Sequence, residues 1–498
     1  MAEQTSLRRC TTKPRVFVVT DISNEPDDAE SMVRYLLYNN EFDTKGLVAC
    51  TSTWMRDKVH PEDIETIVKA YGQVVDNLNA HVHPENRYPS ADSLLKLIKT
   101  GPAMYGKKAL EPDVPLSDGA AALVEELRDE SDERPLWVPC WGGTNVLAQA
   151  LQHIQQNYDP AEAAALRQKL RVYTISDQDD TGYWIRLTFP DVFYICSVHG
   201  WNQYSEATWT GISGDLRGGL DEGGPDTSII SKEWLRSNIQ IGPLGSVYPD
   251  YKFIVEGDTP TFLYLVQNGL GSPEHPDWGS WGGRYGLIDA GGAARHYADM
   301  ADTVTGANGK RYVTSKGTIW RWRDAYQHDF AARMQWTLTD DRSKVNHAPV
   351  VVVNGSSGAE PLVLDVEAAE EIELDASATY DPDGDELTFR WFQYREPSIS
   401  ADLVDPMIPD IAIQSIGEAQ SGRRVKLQLP PAEECAIDMR KGTPLAKGVQ
   451  LHFVLEVKDN GSPSLVSYKR VVIQVTNRDL KGGRSTQFET VEDWLDSR

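Results

Sequence analysis

Residues 15–37 read RVFVVTDISNEPDDAESMVRYLL, and the three parts of this stretch set the reading of the chain. Residues 16–20 are an apolar run of strand length that stops in acid at Asp21. From Ala29 onward the apolar residues Ala29, Met32, Val33, Leu36 and Leu37 fall at i, i+3, i+4, i+7 and i+8, the spacing of one helix face. A strand apolar on both sides, followed by an amphipathic helix, is the unit of a parallel sheet covered by helices.

The unit recurs. Residues 46–51 read as a strand, and Ile64, Ile67, Val68, Tyr71, Val75 and Leu78 repeat the helical period behind Pro61. A helix over 120–128 precedes a strand at 136–140. The next helix starts at Asn145 and carries Val146, Leu147, Ala150, Leu151 and Ile154 on one face. Residues 171–175 and 192–198 are further strands. Between about 200 and 292 the texture turns to Gly, Pro and aromatic residues, and loops of that length in a compact domain are usually functional. Helical patterning returns over 318–336. The expectation is an α/β first domain over 13–345, a mainly parallel sheet flanked by helices.

After a boundary near 346–349, short alternating segments dominate, separated by turn signals such as DPDGD (381–385) and DNGSP (459–463). Several short strands with such punctuation indicate an all-β sandwich over 347–478. Residues 479–498 read as a polar tail.

The chain has 498 residues, 49 Lys+Arg against 74 Asp+Glu, and a net charge of −25. That length allows two or three domains. The acid excess repels nucleic acid and anionic membranes, and suits cations and neutral ligands such as sugars. No apolar stretch reaches the roughly 20 residues of a membrane span. The N-terminal residues lack the apolar core of a secretory signal, so a cytosolic location is the default, or a secreted one if a leader has been removed. Cys10, Cys50, Cys140, Cys196 and Cys435 are scattered, without CxxC spacing, and read as small buried hydrophobes rather than a disulfide scaffold or zinc site.

The chemistry concentrates in Thr20–Ser31. Asp21 stands at the carboxyl end of the first strand, where open α/β sheets bind ligands, and Asp27 and Asp28 open the helix. With Glu25, these carboxylates repel one another unless a cation holds them. Hard oxygen donors suit Ca²⁺ or Mg²⁺. Capping and the helix dipole account equally well for any single aspartate. Asp177, Asp179 and Asp180 follow another strand end and are candidates for binding sugar hydroxyls, or else a solvated acidic turn. His199 is a candidate proton donor to a leaving group, although a lone histidine more often has a structural partner. Trp201, Tyr204, Trp209, Trp278, Trp281 and Tyr285 offer rings that suit sugar faces or pack the loops onto the body. The run GGLDEGG (218–224) lacks the Gly-Lys-Ser/Thr ending of a phosphate loop. The alternating aspartates of 381–385 suit either a Ca²⁺ loop or simple turn formation.

The pattern Asp-x5-Asp-Asp-Ala after a strand is similar to the N-terminal signature of nucleoside hydrolases. TDISNEPDDAES, taken in order with YTISDQDDTG (173–182), ATWTGISGD (207–215) and EGDTPTFLYL (256–265), resembles the nucleoside-hydrolase-like domain of the Sde182 family, often described as cellulose-binding. That family carries an Ig- or cadherin-like C-terminal part. The resemblance implies Asp28 as the strongest ligand of a Ca²⁺ and Asp258 as a distal one, with Asp21 and Asp27 in the same set. It also implies Asp27 against sugar hydroxyls, and a middle turn at Trp141-Gly142-Gly143-Thr144-Asn145. Asn24, Asn145 and Trp209 join the substrate-binding candidates. Ser23 stands where nucleoside hydrolases have an aspartate that serves as metal ligand and base. Asp21 or Glu25 is then the candidate base.

These readings point to an enzyme that cleaves a glycosidic bond of a carbohydrate or glycoside at a divalent-metal site. A non-catalytic carbohydrate-binding protein and a purine or pyrimidine nucleoside hydrolase are the alternatives. Homo-oligomers are compatible with the resemblance.

Overall fold

Strand β1 (Arg15–Thr20) is buried at all six of its residues and lies inside an eight-stranded sheet. The other strands are β2 (Asp43–Ala49), β3 (Ile98–Thr100), β4 (Leu136–Cys140), β5 (Leu170–Thr174), β6 (Phe193–Cys196), β7 (Tyr285–Leu287) and β8 (His296–Asp299). The order across the sheet is β3-β2-β1-β4-β5-β6-β8-β7. Every neighbouring pair is parallel except β7–β8. The computed structural model describes residues 4–198, 201–217, 221–289, 291–399, 408–417, 421–438 and 441–480. Among them, no helix is long and apolar enough to cross a membrane.

Helix α1 (Pro26–Leu37) starts at a proline whose missing N–H costs nothing at that position. Helix α2 (Pro61–Gly72) starts the same way. The helical period expected to run through Leu78 breaks after Gly72, and a separate helix occupies Val75–Ala80. A Cβ on Gly72 would sit 2.8 Å from that of Ala91, so this helix end packs directly on the start of the helix Ala91–Leu95. Helices Asp118–Arg128 and Asn145–Asn157 close over the sheet. Their Leu123, Leu127, Leu147 and Leu151 share one core with Phe17, Val19, Val138 and Val172 of the strands. The first strand enters this core with a charge: Arg15 is fully buried, its guanidinium donating to the Glu126 carboxylate at 2.8 Å and to the backbone carbonyls of Glu126, Asp132 and Arg134.

Two compact units result. One comprises the chain up to Val266 with Pro273–Asn346; the other comprises Gln267–Ser272 with the chain from His347 onward. In the second unit, a sheet of Leu362–Glu367, Val466–Thr476, Lys447–Lys458 and Thr388–Gln393 and a sheet of Glu371–Asp375, Arg424–Gln428 and Ile413–Ser415 share one apolar core. This is an Ig/cadherin-like β-sandwich. Residues 267–272 join it by backbone bonds, Tyr468 N to Asn268 O at 2.8 Å and Arg470 N to Gly269 O at 3.0 Å. The DPDGD aspartates act as turn formers: Asp381 Oδ1 accepts from the amides of Asp383 and Asp385, and Asp383 accepts from His347.

The Gly-rich stretch expected as long loops is broken into short turns of helix, such as Thr208–Ile212 and Lys232–Asn238, and the strand β7. Ser231 caps the second of these helices by accepting from Trp234 N. Strands β7 and β8 escaped the sequence reading because most of their residues are only half-buried, so they carry no apolar run.

The helix Arg323–Trp336 is pinned to the end of α1 by ion pairing inside the core. Arg333 donates to Asp329 at 2.9 Å, to Glu41 at 2.5 Å, and to the carbonyl of Leu37 at 2.9 Å. Removing one member of a buried pair strands the other charge. We therefore expect Arg333→Ala to lower the unfolding free energy of this unit by about 3–5 kcal/mol, read from the urea midpoint. Arg333→Lys should recover only part of the loss, because an ammonium cannot reproduce the fork of donors.

Candidate functional site

The strand order reverses between β1 and β4: β2 and β3 lie on one side, β5 and β6 on the other. At such a switch point the chain leaving the two central strands diverges and opens a crevice beyond their carboxyl ends. Backbone pairing continues to the lip of that crevice, through Cys50 N to Thr20 O at 2.7 Å, Trp141 N to Val19 O at 2.8 Å, and Ile175 N to Cys140 O at 3.1 Å. The residues that follow β1, β4 and β5, namely Asp21, Trp141 and Ile175, line a cavity of about 360 Å³. Trp141 is fully buried and fixed by its indole N–H to Thr261 Oγ1 at 2.8 Å.

Carboxylates crowd this cavity. Asn24, Glu25, Asp27 and Asp28 come from the first loop and the start of α1, and Asp258 comes from the segment just ahead of the helix Pro260–Leu263. Asp27, Asp28 and Asp258 each place a carboxylate oxygen within 4.8 Å of the other two. Two glycines permit the approach. A Cβ at Gly142 would stand 2.6 Å from Asp21 Oδ1, and one at Gly257 would stand 2.6 Å from Asp27 Oδ2. Glu25 holds the N-cap position of α1 without a side-chain capping bond, so capping does not explain why its carboxylate is there. Asp28 accepts a hydrogen bond from Thr20 Oγ1.

The basin is electrostatically uncompensated. Burial pushes the Asp21 carboxyl up to about 6, against a lowering hydrogen bond from Ser52. Burial, then Glu25 and Asp21, push Asp27 up to about 7. Burial and the neighbouring aspartates raise Asp28 and Asp258 well above the usual carboxylate range. Asp21 Oδ2 and Asp258 Oδ2 are buried with no hydrogen-bond partner, and no lysine or arginine is among the described residues that line the cavity. A close-set group of three carboxylates that includes the buried, unpaired Asp258 Oδ2 fits a hard divalent cation, which takes oxygen ligands from several carboxylates at once.

The structure sorts the other sequence candidates. Asn24, Glu25 and Trp209 line the cavity, and Trp209 donates to Ser176 Oγ at 3.3 Å. Asn145 does not line it: its amide donates to Thr51 Oγ1 and to Met104 O, both at 2.9 Å. Neither do Asp177, Asp179 and Asp180. Asp177 is paired with Arg186, Asp179 caps the helix Asp180–Thr188 through Thr181 N at 2.8 Å, and Asp180 accepts from Lys107 N at 2.8 Å. Each of the three thus has a structural partner away from the cavity, although Asp179 Oδ2 is buried without a hydrogen-bond partner. His199 lies outside the described residues. Ser23 sits at a positive φ of 79° and bonds to Asp63, so its hydroxyl is turned to α2.

Sequence reasoning missed Gln178, Trp54 and Ile254, all of which line the cavity. Gln178 sits within the acidic run, and its amide donates to Trp141 O; its neutral side chain gave no signal beside three aspartates. His60, Glu62 and Asp63 form a second close-set group, but on partly exposed residues at the start of α2.

Comparison with known proteins gives the family. Residues 15–285 match the family described as cellulose-binding Sde182, nucleoside hydrolase-like domain. Residues 371–475 match the C-terminal domain of the cellulose-binding protein Sde0182. A nucleoside hydrolase-related hypothetical protein from Saccharophagus degradans, associated with carbohydrate metabolism, is 30% identical. Its alignment covers 93% of this chain and 100% of that one, at a TM-score of 0.74. The effector protein XOO4466 aligns at 13% identity over 58% of this chain and 88% of its own, with a TM-score of 0.29. Human CDH23 EC21-23 aligns at 16% over 26% and 33%, with a TM-score of 0.16. No curated protein matches the chain.

The charge crowding has a thermodynamic signature. Asp21 and Asp27 are raised in the folded state above the roughly 4 of an unfolded aspartate, so between those values the native chain binds more protons. Their contribution to stability is full below about pH 4 and falls as pH rises through 6 and 7. In chelator, thermal melts at pH 5 and pH 8 should show this decline, and Asp28→Asn should raise the melting temperature at pH 8. Calcium should remove the decline in the parent protein and do much less for the variant.

Proposed function

The chain belongs to the Sde182 family, with its nucleoside-hydrolase-like domain, and we propose that it binds a carbohydrate through a divalent cation, Ca²⁺ for preference. The single observation that carries this reading is the group of Asp27, Asp28 and Asp258, close-set, largely buried and, among the described residues of the cavity wall, without a counter-charge. These three would hold the cation, with Asp21 beside them. A bound cation would fix vicinal sugar hydroxyls and polarise a water. Trp209 and Tyr204, whose rings meet edge to face at 5.3 Å, also line the cavity and offer apolar surface that suits the C–H face of a sugar. The fold family includes hydrolases, and the family description and the Saccharophagus relative's association with carbohydrate metabolism favour a sugar ligand.

Hydrolysis of a glycosidic bond is the second reading, and one observation favours it. Asp21 lines the cavity but lies outside the close-set group of three. Its carboxyl, raised to about 6, has the proton affinity of a general base that works near neutral pH. Glycosidic cleavage passes through an oxocarbenium-like state, which nearby carboxylates stabilise. Because Ser23 supplies no carboxylate, the base must come from Asp21 or Glu25. Ribose release from inosine or uridine tests the narrower case of a nucleoside hydrolase.

Two measurements separate the readings. Retention of the full chain on cellulose should require calcium, and Asp28→Asn should abolish calcium uptake by calorimetry together with retention. Binding that survives both chelator and Asp28→Asn would refute the cation-held ligand. If the chain also turns over plant-polysaccharide fragments, Asp21→Asn should cut reducing-sugar release by about 100-fold or more while leaving retention intact.

A further inference from the structure

Gln178 is the neutral side chain in the acidic run Asp177–Asp180, and of those residues it is the one that lines the cavity. Its neighbours anchor it. Asp177 is paired with Arg186, and Asp179 caps the helix Asp180–Thr188. Across the sheet edge, Thr53 N donates to Gln178 O at 2.6 Å. The backbone at this position is therefore held from both sides in sequence and from the turn after β2.

A carboxamide has a donor end and an acceptor end, and the fold settles which is which. Gln178 Nε2 donates to Trp141 O. The reverse orientation would set Oε1 against a carbonyl oxygen, and two acceptors make no bond. Oε1 is left as the open end: among the described residues no donor bonds to it, on a side chain that is only 6% exposed and borders the cavity. Other donors of the wall are consumed by protein. The indole N–H of Trp141 goes to Thr261 Oγ1 at 2.8 Å, that of Trp209 to Ser176 Oγ at 3.3 Å, and the Thr210 hydroxyl to Ala207 O at 2.7 Å. Beside the carboxylates, then, the wall offers a further acceptor, and a ligand answers an acceptor with an O–H group. A glutamate at 178 would set a negative oxygen against Trp141 O and add charge to the basin; glutamine accepts without either cost. Because the amide is fixed before a ligand arrives, little side-chain freedom remains to be lost on contact. A ligand that lacks the matching hydroxyl leaves Oε1 cut off from water and unsatisfied.

We propose that Gln178 is a specificity-determining residue, whose Oε1 accepts from one hydroxyl of the bound sugar, so that the site selects sugars in which that hydroxyl is present and unsubstituted. This rests on the carbohydrate reading above and names a contact within it.

The experiment is calorimetry on the full chain in calcium, with cellobiose and its monodeoxy analogues, each lacking one hydroxyl, as probes. Gln178→Met keeps the length of the side chain and removes the acceptor; it should weaken cellobiose by about tenfold and leave calcium uptake within about twofold. One monodeoxy analogue should bind the parent protein about tenfold more weakly than cellobiose does, yet bind Gln178→Met as well as cellobiose binds it, because the two changes remove the same bond. Gln178→Asn, one methylene short of the contact, should behave in the same way and stands in if the methionine variant does not fold. Cellobiose binding that neither variant weakens overturns the proposal, and so do losses that simply add for every analogue. Calcium uptake that falls in step with cellobiose binding also overturns it, since Gln178 would then act only by bracing the Trp141 turn beside the basin. A parent protein that takes up calcium but binds no cellobiose removes the carbohydrate reading itself and the proposal with it, an outcome distinct from sugar binding that is indifferent to Gln178.

Discussion

Like charges gathered where water cannot screen them are the constraint on which the first unit turns. Asp21, Asp27, Asp28 and Asp258 are raised first by burial and then by one another. In a folded protein such an arrangement persists only if the rest of the structure holds the groups in place against their repulsion, or if a cation relieves it. Here the scaffold does the first and the oxygens are disposed for the second. The roots of the site are also rigid: β1, which delivers Asp21, is buried throughout, and Gly142 and Gly257 remove the Cβ atoms that would keep the carboxylates apart.

Helix α1 links the two sides of the basin. Its first turn carries Asp27 and Asp28. Further along, Glu30 accepts from Glu256 N at 2.8 Å, Ser31 meets Thr259 at 3.1 Å, and Arg34 donates to Glu256 at 2.6 Å. Glu256 adopts a positive φ of 53°, a strained choice for a side chain larger than glycine. The bonds from α1, with that of Tyr248 to Glu256 at 2.9 Å, hold this turn and so aim Asp258 back at the first turn of the same helix. One helix thus supplies half of the ligand group and positions the other half.

The acidic run after β5 shows how the same residue type serves a different end. Asp177, Asp179 and Asp180 follow a strand as Asp21 does, yet each finds a partner at once in a guanidinium, a helix terminus or a backbone amide. None of the three lines the cavity, and what separates them from Asp21 is place and the donors that the fold brings within reach.

The sequence by itself determined what depends on neighbours a few residues away. An apolar run marked β1, the 3.6 period marked α1, and alternation marked the sandwich strands, because burial of a face imposes its pattern on the local sequence. The family resemblance carried by TDISNEPDDAES, YTISDQDDTG, ATWTGISGD and EGDTPTFLYL implied Asp28 and Asp258 as one ligand set. Only the tertiary structure decided that β4 lies beside β1, that Asn145 and the DQDD aspartates are spent on structure, and that Trp54 and Gln178 reach the cavity. Those facts depend on which distant atoms meet, and a side chain's chemistry is the same before and after it finds a partner, so nothing in the local pattern distinguishes Asp179 from Asp28.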